Sequence, residues 1–244
     1  MRKLLLLSLV AIQLLSAQPI RSSEQLITAM RDRYNGKWYK TLTFEQTTSQ
    51  VKPDTTLVST WYEAFSFPST MRIDMDSLGG SGMLLAGDSL YAFKEGKLSS
   101  TRGFVHSLLL LGFDVYFLQP KETMAKLQGL HFDLSVFHEE LYQGRPVYVV
   151  GAPQGDVHTP QFWIDKERLL FVRLLEPAGI DGKSTRDTQF NNYVRLANGW
   201  LATEVVFMVD GKVRMSEKYS NYRPNPKLDM KLFVPKYWTT VRWK

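Results

Sequence analysis

After residue 35 the chain alternates apolar and polar side chains at every second position, in short runs separated by turn residues, which is the period of half-buried strands. Met71, Ile73 and Met75 interleave with Arg72, Asp74 and Asp76. Just before them Trp61, Glu63, Phe65 and Phe67 share one face, while Tyr62 and Ala64 take the other; Trp38, Leu42 and Phe44 form a similar apolar face earlier. Short strands are predicted over 83–86, 90–94 and 97–101, divided by Gly87-Asp88 and Glu95-Gly96. A second meander runs through 134–142, 145–152, 161–165 and 169–176. Three longer strands follow, 185–196, 200–209 and 212–222, joined at Asn198-Gly199 and Asp210-Gly211, the dipeptides that tight hairpins favour. Connections this short predict an antiparallel sheet with consecutive strands paired.

The period becomes helical twice. Leu26, Ile27, Met30 and Tyr34 form one apolar stripe, with Ser22 or Ser23 as the cap and Gly36 as the stop. Between the two meanders, 104–130 is an apolar helical insert broken at Gly112, with Pro120 suited to open a further short helix. Accumulated strand twist does not let a dozen strands stay flat. The predicted fold is therefore α+β, mainly β: an incomplete antiparallel β-barrel, a half-barrel of about 11–13 strands with helices covering its concave face.

The N-terminus changes the picture of where this domain works. Arg2 and Lys3 precede an apolar run from Leu4 to Leu15 and then Ser16, Ala17 and Gln18, the order of a secretory signal peptide. Residues 1–17 are expected to be the leader, with cleavage after Ala17, and 18–244 a single domain. The sequence has no cysteine, so neither a lipid anchor on a thiol nor a disulfide framework is expected, and the mature chain should be soluble in an exported compartment. The formal net charge is +6, and loss of Arg2 and Lys3 with the leader lowers it to +4. Basic residues are scattered along strands rather than massed, which argues against a nucleic-acid partner.

Catalytic patterns are weak. His106, His131, His138 and His158 have no partner at a metal-ligand spacing, and His138-Glu139-Glu140 lacks the second histidine of a zinc-peptidase helix. Ser81 in Gly80-Ser81-Gly82 misses the nucleophile elbow, because position 83 is Met83. Asp74 and Asp76 share a strand face and could act as an acid–base pair, but that face is opposite Met71 and Ile73 and is expected in water. No enzyme, metal or cofactor is expected.

The informative residues are the apolar ones. Three short helices cannot cover the concave face of a dozen strands, and the remainder would be a pocket lined by Trp38, Phe44, Trp61, Phe65, Met71, Met83, Tyr91, Phe93 and Phe162. Methionines suit cargo of irregular shape. Leu108, Leu109, Leu111, Gly112 and Phe113 would form a lid, with Gly112 as its hinge.

The leader, the first helix, the Phe67-Pro68-Ser69-Thr70-Met71-Arg72-Ile73-Asp74 segment, the helical insert, the second meander and the closing Phe233-Val234-Pro235 together resemble the LolA-like outer membrane lipoprotein-sorting family over residues 22–237. The resemblance implies a periplasmic carrier or chaperone that binds acyl chains of lipoproteins or other lipids for transport to the outer membrane. It also implies a membrane donor complex and an outer-membrane acceptor as partners. The family's carriers place an inward arginine near the start of the second strand to hold the lid closed; Asp54-Thr55-Thr56-Leu57-Val58-Ser59 contains none. The alternative is an envelope-sensing or protein-interaction module with the same fold and a closed cavity, and the volume of that cavity separates the two.

Overall fold

The computed structural model describes residues 19–75 and 77–244, so the predicted leader, its cleavage site and Asp76 lie outside the described residues. Thirteen strands form one antiparallel sheet. In chain order they are β1 (Thr41–Val51), β2 (Thr56–Ser66), β3 (Thr70–Met75), β4 (Ser81–Ala86), β5 (Ser89–Lys94), β6 (Lys97–Gly103), β7 (Phe137–Tyr142), β8 (Arg145–Val150), β9 (Gln161–Asp165), β10 (Phe171–Ala178), β11 (Ser184–Leu196), β12 (Gly199–Val209) and β13 (Lys212–Pro224).

Neighbours in sequence pair, as short turns require, except β6 and β7, which the helical insert separates, and β1 also pairs with β13. That long-range pair joins the two meanders at the middle of the sheet and leaves β6 and β7 as its two edges, so the barrel does not close. Bulges interrupt the β1–β13 pairing between Thr43 and Glu45 and the β12–β13 pairing between Phe207 and Met208, and an extra residue of this kind adds local twist.

Among the described residues three helices lie on the sheet: α1 (Ser23–Tyr34), α2 (Ser107–Gly112) and α3 (Pro120–Gly129). The Ser22 side chain caps α1 by accepting from Gln25 N, and Pro120 opens α3 as the sequence suggests. The apolar stripe of α1, with Leu26, Ile27 and Met30 fully buried, joins the main core together with Leu127 of α3 and Phe132. Tyr34 and Tyr116 both pack on Trp38, the second stacked at 4.2 Å between ring centres. The insert is less helical than its periodicity suggests: a single turn and a half forms α2, and a 3-10 turn at Asp114–Tyr116 follows. Among the described residues no helix is long and apolar enough to cross a membrane.

The convex face overturns one expectation. Asp74 is not in water but wholly buried, and so is Arg72. The chain beyond β13 folds back across β3–β5, where Leu232, Phe233 and Trp238 form a second apolar cluster with Ala64, Leu84 and Phe93. Arg72 donates to Asp74 twice and to the carbonyls of Leu232 and Trp238. Gly82 is required here, since a Cβ would stand 2.9 Å from the Trp238 ring and 2.1 Å from the Ile73 carbonyl oxygen. Alternation places Arg72 and Asp74 correctly on the face opposite Met71 and Ile73; a segment about 160 residues away in the chain decides that this face is dry.

Candidate functional site

The helices fill only part of the concave face. α1, α3 and the 3-10 turn pack together against one end of it, and beside them an open chamber of about 510 Å³ remains, within the range usual for small-molecule sites. One wall is Trp61, Phe65, Met71, Ile73 and Met83 on β2–β4. The opposite wall carries Phe190, Val205, Phe207 and Met215 on β11–β13, and Phe104, Leu108, Leu109 and Phe113 of the insert roof it. Alternation builds these walls, because positions two apart on each strand point the same way. Phe65 stacks between Phe44 and Phe67 at 5.5 Å from each, and Phe67 stacks on Phe113 at 4.9 Å, which ties the aromatic wall to the roof.

Of the residues expected to line the pocket, Phe44, Trp61, Phe65, Met71 and Met83 do so, as do the insert residues Leu108, Leu109, Gly112 and Phe113. Four do not. Tyr91 and Phe93 lie on the convex face, where Phe93 stacks on Trp238 at 4.1 Å. Both faces of β5 are covered, so its apolar residues fall on both, and Leu90 is the one turned to the main core. Trp38 precedes β1 and is packed under Tyr34 and Tyr116; Phe162 is fully buried against Phe132. Leu111, on α2, is also away from the chamber and buried in the main core.

Asp114 ties the roof to the turn between β2 and β3 by hydrogen bonds. The Ser69 backbone N–H donates to Asp114 Oδ1 at 2.9 Å and its hydroxyl to Oδ2 at 3.2 Å. Burial nevertheless raises the Asp114 carboxyl to about 6, outweighing the two hydrogen bonds that lower it. His106, whose ring Nδ1 accepts from Leu109 N at the start of α2, is pushed down to about 4 by burial and is neutral.

Sequence reasoning missed the polar part of the chamber. Glu63 and Glu217 line it, with Thr188 and Tyr219, while Glu176, Arg186 and Arg214 also border it. Tyr219 Oη donates to Glu217 Oε2 at 2.7 Å. Burial raises both carboxyls, Glu217 to about 7 and Glu63 well above the ordinary carboxylate range, with Glu217 adding to the latter by like charge. The signal was legible, since Glu63 alternates with Trp61 and Phe65, and Glu217 with Met215 and Tyr219.

No family model and no curated protein matches the sequence. Solved structures do match it in shape. A DUF1329 family protein from Desulfovibrio piger aligns with 88% of this chain and 97% of its own at TM-score 0.60 and 15% identity. A LolA superfamily protein from Nitrosomonas europaea aligns with 89% of this chain and 100% of its own at TM-score 0.55 and 12% identity. The chain has a LolA-like fold. A further solved structure, described as an outer membrane lipoprotein-sorting protein domain from Vibrio parahaemolyticus, aligns with 88% of this chain and 97% of its own at TM-score 0.59 and 12% identity. At these identities the likeness is one of fold and carries no role for the side chains of the chamber.

Proposed function

We propose that the protein is a periplasmic carrier that shelters the acyl chain of a lipoprotein or another lipid in the half-barrel on its way to the outer membrane, and that it is not an enzyme. The observation that carries this reading is the open apolar chamber of about 510 Å³ beneath the insert. A packed or closed half-barrel would have favoured a sensing module. Each buried methylene contributes about 0.8 kcal/mol, so a chain of about 15 carbons could supply around 10 kcal/mol gross, enough to bind after ordering costs. Residues 18–244 would act as one unit once the leader is removed, with α2 as a movable lid.

The test is native purification from the periplasm, organic extraction and mass spectrometry. A lipid co-purifying at a fixed ratio is the expected result. If no lipid is extracted and the stripped protein takes up no fatty-acyl probe, the carrier reading fails.

A further inference from the structure

The inward positions of β1 order the polar groups of the chamber. Phe44 pairs with Glu63, Gln46 with Tyr219 and Thr48 with Glu217, so Glu63, Tyr219 and Glu217 form one oblique stripe across β2, β1 and β13. Their partners on β1, Phe44, Gln46 and Thr48, step by two residues, about 7 Å each, with Glu63 on one side of β1 and Tyr219 and Glu217 on the other. The groups are deeply buried: Glu63 is 5% exposed, Glu217 9% and Gln46 0%.

Their hydrogen bonding is incomplete. Gln46 Nε2 donates to Thr48 Oγ1 at 2.8 Å, but its Oε1 is buried with no partner among the described residues. Glu217 accepts from Tyr219, and the Glu63 carboxyl, which lines the chamber, makes no side-chain hydrogen bond among the described residues. Buried polar groups are nearly always satisfied, and two deeply buried carboxyls that face a ligand-sized chamber are matched by a group rich in donors. An ammonium offers three donors and a positive charge, and meets two carboxyls with no acceptor of its own to leave unmatched.

We propose that the chamber selects amphiphiles with a cationic amine head, which the Glu63 and Glu217 carboxyls receive while the apolar chain lies along Phe65, Met71 and Phe113. This inference rests on the carrier reading and names its ligand class. The other titratable groups bordering the site are Tyr219 on β13, Tyr193 and Arg186 on β11, Glu176 on β10, Arg214 at the start of β13 and His106 before α2. Tyr219 and Tyr193 are raised by burial, Glu176 is raised by burial with Arg186 opposing, and neutral His106 adds no competing charge.

In the empty chamber burial favours the protonated carboxyls, so entry of an ammonium ionises them and releases protons to solvent. Amine affinity should therefore fall in acid, by about tenfold per pH unit for each proton released, while an alcohol of the same chain length should bind independently of this equilibrium. Calorimetric titration of the stripped protein with decylamine and with decanol, in two buffers of different ionisation enthalpy, reads both quantities.

The expected result at about pH 8 is an amine-to-alcohol affinity ratio of at least about tenfold, the worth of one charge-assisted pair, with proton release. In Glu63→Gln/Glu217→Gln the ratio should approach one. A ratio near one in the wild type, or no proton release and no loss toward about pH 5, overturns the inference even if the double variant does not fold. Equal binding of both ligands leaves the carrier reading intact and removes only the head-group selectivity, whereas binding of neither removes both.

Discussion

Arg72 and Asp74, two residues apart on β3, meet in a two-point ion pair on the convex face, with Arg72 Nε 2.7 Å from Oδ2 and Nη2 2.8 Å from Oδ1, sealed beneath the ring of Trp238. The pair connects a strand of the first meander to the last residues of the chain. Asp74 Oδ1 also accepts from Gly79 N at 2.6 Å, so one carboxylate organises the β3–β4 turn and neutralises the arginine.

Removing one partner of such a pair leaves a buried charge unmatched. Asp74→Asn should destabilise the protein by about 3–5 kcal/mol in denaturant unfolding, whereas replacing both by apolar residues, as in Arg72→Met/Asp74→Leu, should cost far less. Equal losses in single and double variants would mean that the tail, rather than the charge, governs this face.

Trp61 lines the chamber with its ring only partly buried, and its Nε1 donates to Ser59 Oγ at 3.0 Å. Trp61→Glu should abolish lipid retention with little loss of folding, because the new carboxylate can still reach water. Phe65→Glu should also abolish retention, but with a stability loss of several kcal/mol, since Phe65 is buried between two rings. Lipid-to-protein ratios after native purification, set beside unfolding midpoints, check both; retention at the wild-type ratio in Trp61→Glu would remove that wall from the site.

Asp114 makes stability depend on pH in a defined direction. Its folded value of about 6 lies above its unfolded value, so its contribution is full below about pH 4 and is lost as pH rises through about 6, on the order of 3 kcal/mol in all. Asp114→Asn keeps an acceptor for Ser69 N–H without the charge. The variant should show a flatter stability profile between about pH 4 and 7 and be the more stable protein above it. An unchanged slope would assign the pH dependence to other groups.

Gly112 permits a clean test of lid motion. A Cβ there would meet Phe190 Cε1 at 3.5 Å, an ordinary contact, so Gly112→Ala changes backbone freedom without a clash. If α2 is a lid, amide exchange across 104–118 should change on lipid addition more than at the Asp210-Gly211 hairpin, and Gly112→Ala should slow lipid uptake. Identical protection with and without lipid would make the segment a fixed part of the core.

Local periodicity and turn chemistry made most of the half-barrel legible: the strands, the hairpin at Asp210-Gly211, the capping of α1 by Ser22 and the opening of α3 at Pro120 all rest on neighbours within a few residues. The same rules placed Trp61, Phe65, Met71 and Met83 on one face, and that face lines the chamber. Three things needed the tertiary structure. The β1–β13 pair joins segments that turn residues do not connect, so it alone decided where the sheet's edges lie. The return of Trp238 over Arg72 and Asp74 made a polar strand face dry, and a two-residue period cannot distinguish a face covered by a distant segment from one covered by water. The same ambiguity sent Tyr91 and Phe93 to the wrong side, because β5 is apolar on both faces. Finally, Glu63 and Glu217 lie more than 150 positions apart in the chain, and only the register through β1 brings them into one stripe; alternation shows which way a side chain points, while pairing across strands decides what it meets.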